Sequence, residues 1–170
     1  MKSFQREPAL DTAAHHLVPA DAVAALLLLK DDRYLMQLRD DIPNIFYPAH
    51  WGCFGGAIEH GETPEQALKR ELLEELELDV GESRLFTRFN FDFAPLGHSV
   101  VTRIYFEVDV LDSTFENFVL HEVADFRAIK GSELISSYKV TPYDAFAVWM
   151  HMAQRDLVGR ASNKDVGQLT

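Results

Sequence analysis

A glycine loop that runs directly into a well-marked helix, at residues 56–78, is the feature that most limits how this chain can fold. Thr63 is a suitable N-cap, Pro64 suits the first helical position, and Gln66 completes a Thr-x-x-Gln capping box. Residues 65–76 contain no glycine or proline, and all of them are reasonable helix formers. The pattern therefore predicts a helix over 65–76 that starts at a defined point behind the glycine loop.

The predicted helix has an acidic face beside an apolar one. Residues three and four apart are neighbours on a helix surface, so Glu71, Glu74 and Glu75 converge. The adjacent apolar stripe consists of Leu68, Leu72 and Leu76. Like charges at this spacing destabilise a helix by roughly 0.2–0.5 kcal/mol per pair. A bound divalent cation, which takes carboxylate oxygens as ligands, would offset that repulsion.

Two interpretations of the acidic face stay open at this point. An acidic, amphipathic helix most often carries a solvated face with no ligand. Gly55, Gly56 and Gly61 favour a ligand platform instead, because glycine lets the backbone turn tightly and come close to a bound group. A glycine loop that feeds an acidic helix is suited to holding a metal and a diphosphate.

The same segment resembles the Nudix box, which reads Gly, five residues, Glu, seven residues, Arg-Glu, an aliphatic residue, any residue, Glu-Glu, any residue, Gly and an aliphatic residue. The matching positions are Gly56, Glu62, Arg70-Glu71, Leu72, Glu74-Glu75 and Leu78. Glu77 stands where the box has its late glycine, and this departure concerns the end of the helix, not the metal site. Trp51, Phe54 and the strand-like runs around the box extend the resemblance to most of the chain.

The resemblance implies an α/β fold, a Nudix-type α/β/α sandwich with a mixed β-sheet. It implies a MutT-like, metal-dependent hydrolase that cleaves the diphosphate linkage of a nucleoside diphosphate derivative by water attack on phosphorus. The substrate would be a nucleotide sugar, ADP-ribose or a (d)NTP. The implied cofactor is Mg²⁺, with Mn²⁺ as a substitute. An alternative function on the same fold is a regulatory module that binds a nucleotide without cleaving it.

The resemblance also implies a set of metal-site residues. The expected metal ligands are Gly56 through its carbonyl, Glu71, Glu74 and Glu75. Glu74 and Glu75 are expected to be catalytic as well, and Arg70 is expected to orient Glu71 or Glu74. Glu62 is expected to brace the loop against the helix.

Other candidate residues lie outside the box. Glu122 is the first choice for an auxiliary ligand or base, with a surface role as its alternative, and Asp125 is the weaker candidate. The expected substrate-binding residues are Arg39, Phe46, Tyr47 and Gly55. The alternative for Arg39 is a solvent-exposed arginine beside two aspartates, and the alternative for the two aromatic residues is anchorage of their loop in the core.

Composition limits the partners. The chain has 170 residues and a net charge of −11, which argues against a nucleic-acid polymer held on a basic surface. Cys53 is the only cysteine, so no intrachain disulfide forms. No apolar run is long enough for a signal peptide or a membrane span, and a cytoplasmic location is the simplest interpretation. The expected partner is a small nucleotide, and a homodimer stays open.

Hydrophobic patterning divides the chain into one domain at 20–158, an N-terminal extension at 1–19 and a polar C-terminal tail at 159–170. Strands are predicted at 22–29, 34–38, 51–54, 84–93, 99–110 and 119–129, with two hairpins among them and a loop at 111–118. Thr141 and Pro142 predict the start of a helix that runs to about Arg155. Its predicted core-packing face consists of Ala145, Val148, Trp149 and Met152.

Overall fold

Six strands and four helices make up the part of the chain that the computed structural model describes, which is residues 20–42, 45, 47–96, 100–116, 118 and 125–166. In chain order they are β1 (Ala20–Leu29), β2 (Arg33–Leu38), β3 (Trp51–Gly52), α1 (Pro64–Leu76), β4 (Arg84–Asp92), β5 (Val100–Asp109), α2 (Asp112–Phe115), β6 (Asp125–Lys130), α3 (Gly131–Ser137) and α4 (Pro142–Val166). The predicted extension at 1–19 lies outside the described residues.

The strands form one mixed sheet in the order β3-β2-β1-β5-β4, with β6 paired to β2. The central pair, β1 and β5, runs parallel from Ala20 opposite Val101 to Leu28 opposite Asp109. The other pairs are antiparallel, which confirms the two predicted hairpins, β1–β2 and β4–β5. Helix α1 lies between those hairpins in the chain, so the crossover from the first hairpin to the second carries the acidic helix.

Alternate residues of β1 face two separate cores, as expected for a strand that is buried on both sides. Val23, Ala25 and Leu27 belong to the core that contains the apolar stripe of α1. Ala24 and Leu26 belong to the core that contains residues of α3 and α4. The box helix and the C-terminal helix therefore cover opposite faces of the sheet, which confirms the predicted sandwich.

Helix α1 begins and ends as the sequence chemistry requires. The Thr63 hydroxyl accepts from the Gln66 N–H at 3.3 Å, and the Thr63 N–H donates to the Gln66 side chain at 2.8 Å, so the capping box is complete. Glu77 ends the helix in the left-handed conformation, with φ 53° and ψ 27°. Glycine takes this conformation without a Cβ penalty, which explains why the box has glycine at this position.

The structure differs from the predictions at three places. Helix α4 continues to Val166, so the predicted tail is helical up to that residue; Gly159 costs a helix only about 1 kcal/mol, which does not end it. The predicted loop at 111–118 contains the one-turn helix α2. Trp149 is 54% exposed, so its assignment to the core-packing face is wrong, and the buried stripe of α4 runs through Tyr143, Ala147, Val148 and His151.

None of the helices within the described residues combines the length and the apolarity that crossing a membrane requires.

Candidate active site

Arg70 is the centre of an ion-pair network that joins the glycine loop to α1. Its Nε lies 2.8 Å from Glu62 Oε1, and its Nη1 lies 2.8 Å from Glu71 Oε1 and 3.2 Å from Glu74 Oε2. Its Nη2 donates to the Ala57 carbonyl at 2.9 Å. One guanidinium thus holds two carboxylates of the helix and one of the loop in place, which is the bracing and orienting arrangement expected for Glu62 and Arg70.

The absence of a side chain at Gly56 leaves the space that the Glu71 carboxylate occupies. A Cβ at this position would lie 2.4 Å from Glu71 Oε1 and 2.6 Å from Oε2, so any side chain would push the carboxylate aside. The Gly56 carbonyl accepts from the Val23 N–H at 2.9 Å, which ties the loop to β1. A carbonyl oxygen has two lone pairs, so this bond leaves the oxygen able to accept a second ligand.

Gly55 brings the third carboxylate to the loop. Its N–H donates to Glu75 Oε2 at 3.0 Å. Its φ of 130° and the Val23 carbonyl oxygen, 2.3 Å from where a Cβ would stand, require glycine here. The Gly55 amide therefore contacts Glu75, so a direct contact with substrate would have to come from another atom of this residue.

The network changes the acidity of its members. The Arg70 side chain, followed by the Glu59 N–H, holds the pKa of Glu62 at about 2 by hydrogen bonding to its carboxylate. Hydrogen bonds to Glu62 and Glu71 raise the pKa of Arg70 above its ordinary value. Folding therefore favours the charged form of both the loop carboxylate and its arginine.

The donors on this face suit a hard divalent cation. Carboxylate and carbonyl oxygens are what Mg²⁺ and Mn²⁺ prefer, and here they come from Gly56, Glu71, Glu74 and Glu75. Glu71 is packed against the loop with 16% of its side chain exposed, whereas Glu74 is 57% exposed and can turn. Within the described residues no three acidic, histidine or cysteine side chains already stand at metal-binding geometry. The donor set fits the cation once the exposed carboxylates, such as that of Glu74, turn toward it.

The segment that carries this glycine-and-carboxylate platform lies within a sequence match to a known protein family. The sequence matches the NUDIX domain over residues 18–150. The chain belongs to the Nudix family. The predicted family and the predicted enzyme class, a Nudix pyrophosphohydrolase, are thereby confirmed.

Several known proteins are similar to this chain over most of their length. Nucleoside triphosphatase NudI from Escherichia coli O17:K52:H18 is 30% identical over 119 residues, which cover 64% of this chain and 81% of that protein. A structure of MutT, from work on Aliivibrio salmonicida and Vibrio cholerae, has a TM-score of 0.62 at 24% identity, over 79% of this chain and 97% of that one. The Nudix domain of Shewanella oneidensis NrtR, solved with ADP ribose, has a TM-score of 0.65 at 15% identity, over 88% and 94%.

The candidate site residues outside the carboxylate platform of this Nudix domain are the substrate-binding candidates and the two candidates for an auxiliary ligand or base. Arg39 is half-buried and its Nε is fully buried, so the alternative of a solvent-exposed arginine is wrong. Tyr47 packs edge-on against His50, Phe93 and Tyr143, with ring centroids 5.4–6.1 Å apart. Phe46 and Glu122 lie outside the described residues. Asp125, at the start of β6, hydrogen-bonds the Phe126 N–H at 2.8 Å and pairs with Arg127 at 3.2 Å.

Sequence reasoning missed a buried polar cluster on the α4 side of the Nudix sheet. The Asp144 carboxylate accepts from the Cys53 N–H at 3.0 Å, the Thr141 hydroxyl at 2.7 Å and the Tyr105 hydroxyl at 2.9 Å. Burial and then the Asp144 charge raise the pKa of Tyr105 far above its ordinary value. Arg103 lies beside this cluster, and a lone arginine inside the apolar strand β5 was the signal that could have revealed it.

Proposed function

We propose that this Nudix domain hydrolyses a phosphoric anhydride bond of a nucleoside diphosphate derivative with the help of a bound divalent cation. The observation that carries the proposal is the contact between Gly56 and Glu71, because the atoms nearest to an added Cβ at Gly56 all belong to the Glu71 carboxylate, so glycine here keeps that carboxylate against the loop. Arg70 supports it by holding Glu71 and Glu74 on the same side of α1.

The divalent cation supplies charge neutralisation at the phosphoryl oxygens when it is bound. We propose that Glu71, Glu74, Glu75 and the Gly56 carbonyl hold it. Glu74 is the most exposed of the packed carboxylates, and we propose that it accepts the proton of the attacking water. Glu122 is the second candidate for that base. Arg70 and Glu62 act indirectly: their contacts set the position of Glu71 and of the loop.

A nucleoside triphosphate is the substrate class that we propose first. NudI, whose name states that class, is the relative that supports it. ADP-ribose and nucleotide sugars are the other candidates, and the NrtR domain bound to ADP ribose supports the former only through a shared fold.

The test is nucleotide or phosphate release from a panel of nucleoside triphosphates, ADP-ribose and nucleotide sugars, with Mg²⁺, with Mn²⁺ and with a chelator. Glu75→Gln keeps the size of the side chain and removes the charge that receives the Gly55 N–H, so turnover is expected to fall at least a hundredfold, the order of loss for a misplaced catalytic group. Glu65→Gln, on the exposed first turn of the same helix, is the matched control and is expected to match wild type.

Two results would contradict the proposal. Turnover that survives in a chelator, or that Glu75→Gln leaves unchanged, would show that the carboxylate platform is not the reacting site. Tight binding of a nucleotide without turnover of any substrate in the panel would favour the alternative, a regulatory module that binds and does not cleave.

A further inference from the structure

Strand β4 forms one edge of the sheet. It is the last strand in the order β3-β2-β1-β5-β4, and β5 is its only partner among the strands that the structure describes. Alternate residues of an antiparallel strand direct their N–H and C=O groups to opposite sides, so about half of the backbone groups of β4 point away from β5. An edge of this kind is a template on which another strand can pair.

The part of β4 that suits further pairing is short and regular. Its register with β5 shifts between Leu85 and Thr87, and such an irregularity bends a strand and interrupts its ladder. A one-turn 3-10 helix at Ala94–Leu96 follows the strand. Between these two limits the register from Thr87 to Asp92 is unbroken, which leaves a straight edge about six residues long.

The sequence of this edge is self-complementary. It reads Arg88-Phe89-Asn90-Phe91-Asp92, with opposite charges at equal distances from Asn90. When two copies pair antiparallel around Asn90, Arg88 stands opposite the partner's Asp92, and Phe89 stands opposite the partner's Phe91. The two-fold axis repeats both pairs, and directly opposite residues have Cβ atoms only about 4.5–5.5 Å apart. Asn90 meets its own copy, and its amide offers both a donor and an acceptor for that contact.

Neither charge finds its partner within one copy. Arg88 and Asp92 are both exposed, and among the described residues neither forms an ion pair. They cannot pair with each other, because four residues of extended chain separate them by roughly 13 Å. One oxygen of Asp92 accepts from the Ala94 N–H at 2.9 Å, and a carboxylate has further lone pairs for a guanidinium.

The charge pattern selects one register. A pair centred on Phe89 would set Arg88 opposite Asn90, and a pair centred on Phe91 would set Asp92 opposite Asn90, so both ion pairs would be lost. A pair centred on Arg88 would bring two arginines together, which is unfavourable. Charges that only protect an edge need no such symmetry, whereas the signs at these two positions favour self-pairing around Asn90.

Exposed aromatic rings lie next to this edge on the α4 side of the sheet. The Phe146 ring lies 5.1 Å from that of Phe89 and stacks on that of Trp149 at 6.0 Å. Phe146 is 41% exposed and Trp149 is 54% exposed. An aromatic side chain buries about 150–250 Å² in full, so the two rings leave roughly 200 Å² of surface beside the edge. A second copy paired on β4 brings the same apolar surface to the same side of the sheet.

We propose that this edge is the interface of a homodimer, in which the β4 strands of two copies pair antiparallel around Asn90 and join the two sheets. Segment 87–93 carries one positive and one negative charge, so the contact lies where two chains with a net charge of −11 each repel least. The interface is small, and a dissociation constant of roughly micromolar size is expected. This association does not depend on the proposed hydrolysis.

The test exchanges the two charges in the full-length chain and measures the dissociation constant by sedimentation equilibrium. Arg88→Asp sets two carboxylates opposite each other at both ends of the pair, and Asp92→Arg sets two guanidinium groups there. Each change is expected to weaken association about tenfold or more. The double variant Arg88→Asp/Asp92→Arg restores opposite charges at an unchanged net charge, and its dissociation constant is expected to return to within about threefold of wild type.

Lys30→Asp is the matched control, because it makes the same change in net charge as Arg88→Asp at an exposed position in the turn after β1. It is expected to associate as wild type does. A second measurement follows amide hydrogen exchange at two protein concentrations. Peptides that cover 88–92 are expected to exchange more slowly at the higher concentration, because pairing protects the backbone groups that point away from β5.

The proposal is overturned if wild type stays monomeric well above micromolar concentration, if the single charge reversals associate as tightly as Lys30→Asp, or if the double variant associates no more tightly than they do. A monomer in which 88–92 exchanges slowly at every concentration would assign the edge to another segment of this chain instead. Thermal unfolding checks that the variants fold. If Asp92→Arg does not fold, Arg88→Asp compared with Lys30→Asp still decides the outcome.

Discussion

Glu77 holds a conformation that its side chain disfavours. A residue with a Cβ in the left-handed region costs roughly 1–2 kcal/mol relative to glycine, and the structure keeps it there because its N–H closes the helix on the Leu72 and Leu73 carbonyls. Glu77→Gly is therefore expected to raise the free energy of unfolding by about 1 kcal/mol, after the greater freedom of glycine in the unfolded chain is subtracted. Urea unfolding followed by circular dichroism measures it.

Glu77→Ala separates the effect of the backbone conformation on stability from the effect of the carboxylate charge. Alanine keeps the Cβ and removes the charge, so it is expected to give no comparable gain. If alanine stabilised the protein as much as glycine, the helix end would be limited by charge repulsion, and the conformational explanation would fail.

Gly56 is expected to matter for activity more than for stability. In Gly56→Ala the new methyl group would collide with the far end of the flexible Glu71 side chain, which can turn away at small cost in stability. Turning displaces the carboxylate from the platform, and a shift of about 1 Å can cost a hundredfold in rate. The measurement is kcat/KM beside the midpoint of thermal unfolding.

Gly81→Ala is the control for that change, because a methyl group there meets nothing within 4 Å. It is expected to match wild type in both quantities. Equal losses of activity and stability in Gly56→Ala would mean that the loop as a whole had collapsed.

At the scale of elements, the Glu62–Arg70 ion pair connects the glycine loop to α1, and acid is expected to weaken this ion pair. The pKa of Glu62 is about 2 in the folded protein, below its ordinary 4.5, so folding favours the charged carboxylate. A lowered pKa contributes stability that is complete above about pH 4.5 and is lost as the pH falls through about 2. The difference in urea midpoint between wild type and Glu62→Gln is expected to shrink across that window.

The control for the pH series is again Glu65→Gln, whose exposed side chain carries no such pair. A wild-type advantage over Glu62→Gln that stays constant from pH 4.5 to 2 would show that the titrating charge of Glu62 does not stabilise the folded protein.

At the scale of the whole molecule, His151 joins three elements through a buried contact. Its Nδ1 lies 2.7 Å from the Tyr34 hydroxyl on β2, and its Nε2 lies 3.2 Å from Glu107 Oε1 on β5. Burial lowers the pKa of His151 below its ordinary 6.5, although Glu107 opposes that effect. The imidazole thus holds the first half of α4 to the sheet in its neutral form.

The expected consequence is a loss of stability in mild acid. Because the folded pKa of His151 is lowered, the unfolded chain takes up the proton first as the pH falls below about 6.5, and the folded state is disfavoured. The unfolding midpoint of wild type is expected to fall more steeply below pH 6.5 than that of His151→Gln. His60→Gln, at an exposed histidine, is the matched control. Parallel profiles for wild type and His151→Gln would contradict the prediction.

Local chemistry made much of the fold predictable. The start of α1 follows from Thr63, Pro64 and Gln66, which act within four residues of one another. The strand β1 follows from an unbroken aliphatic run, and both hairpins follow from turns that join neighbouring strands. Trp149 was misplaced because helical spacing shows which residues share a face but not how wide the partner surface is, and this ring is left half exposed.

The sequence by itself determined the family, the acidic platform and the order of the elements, because each depends on residues close together in the chain. Only the tertiary structure decided which residues come together on the α4 side of the sheet. Arg39, Arg103 and Tyr143 lie far apart in sequence and are brought together by the parallel pairing of β1 with β5 and by the docking of α4. Such contacts have no local signature, since they depend on which strands pair and on which face each helix packs.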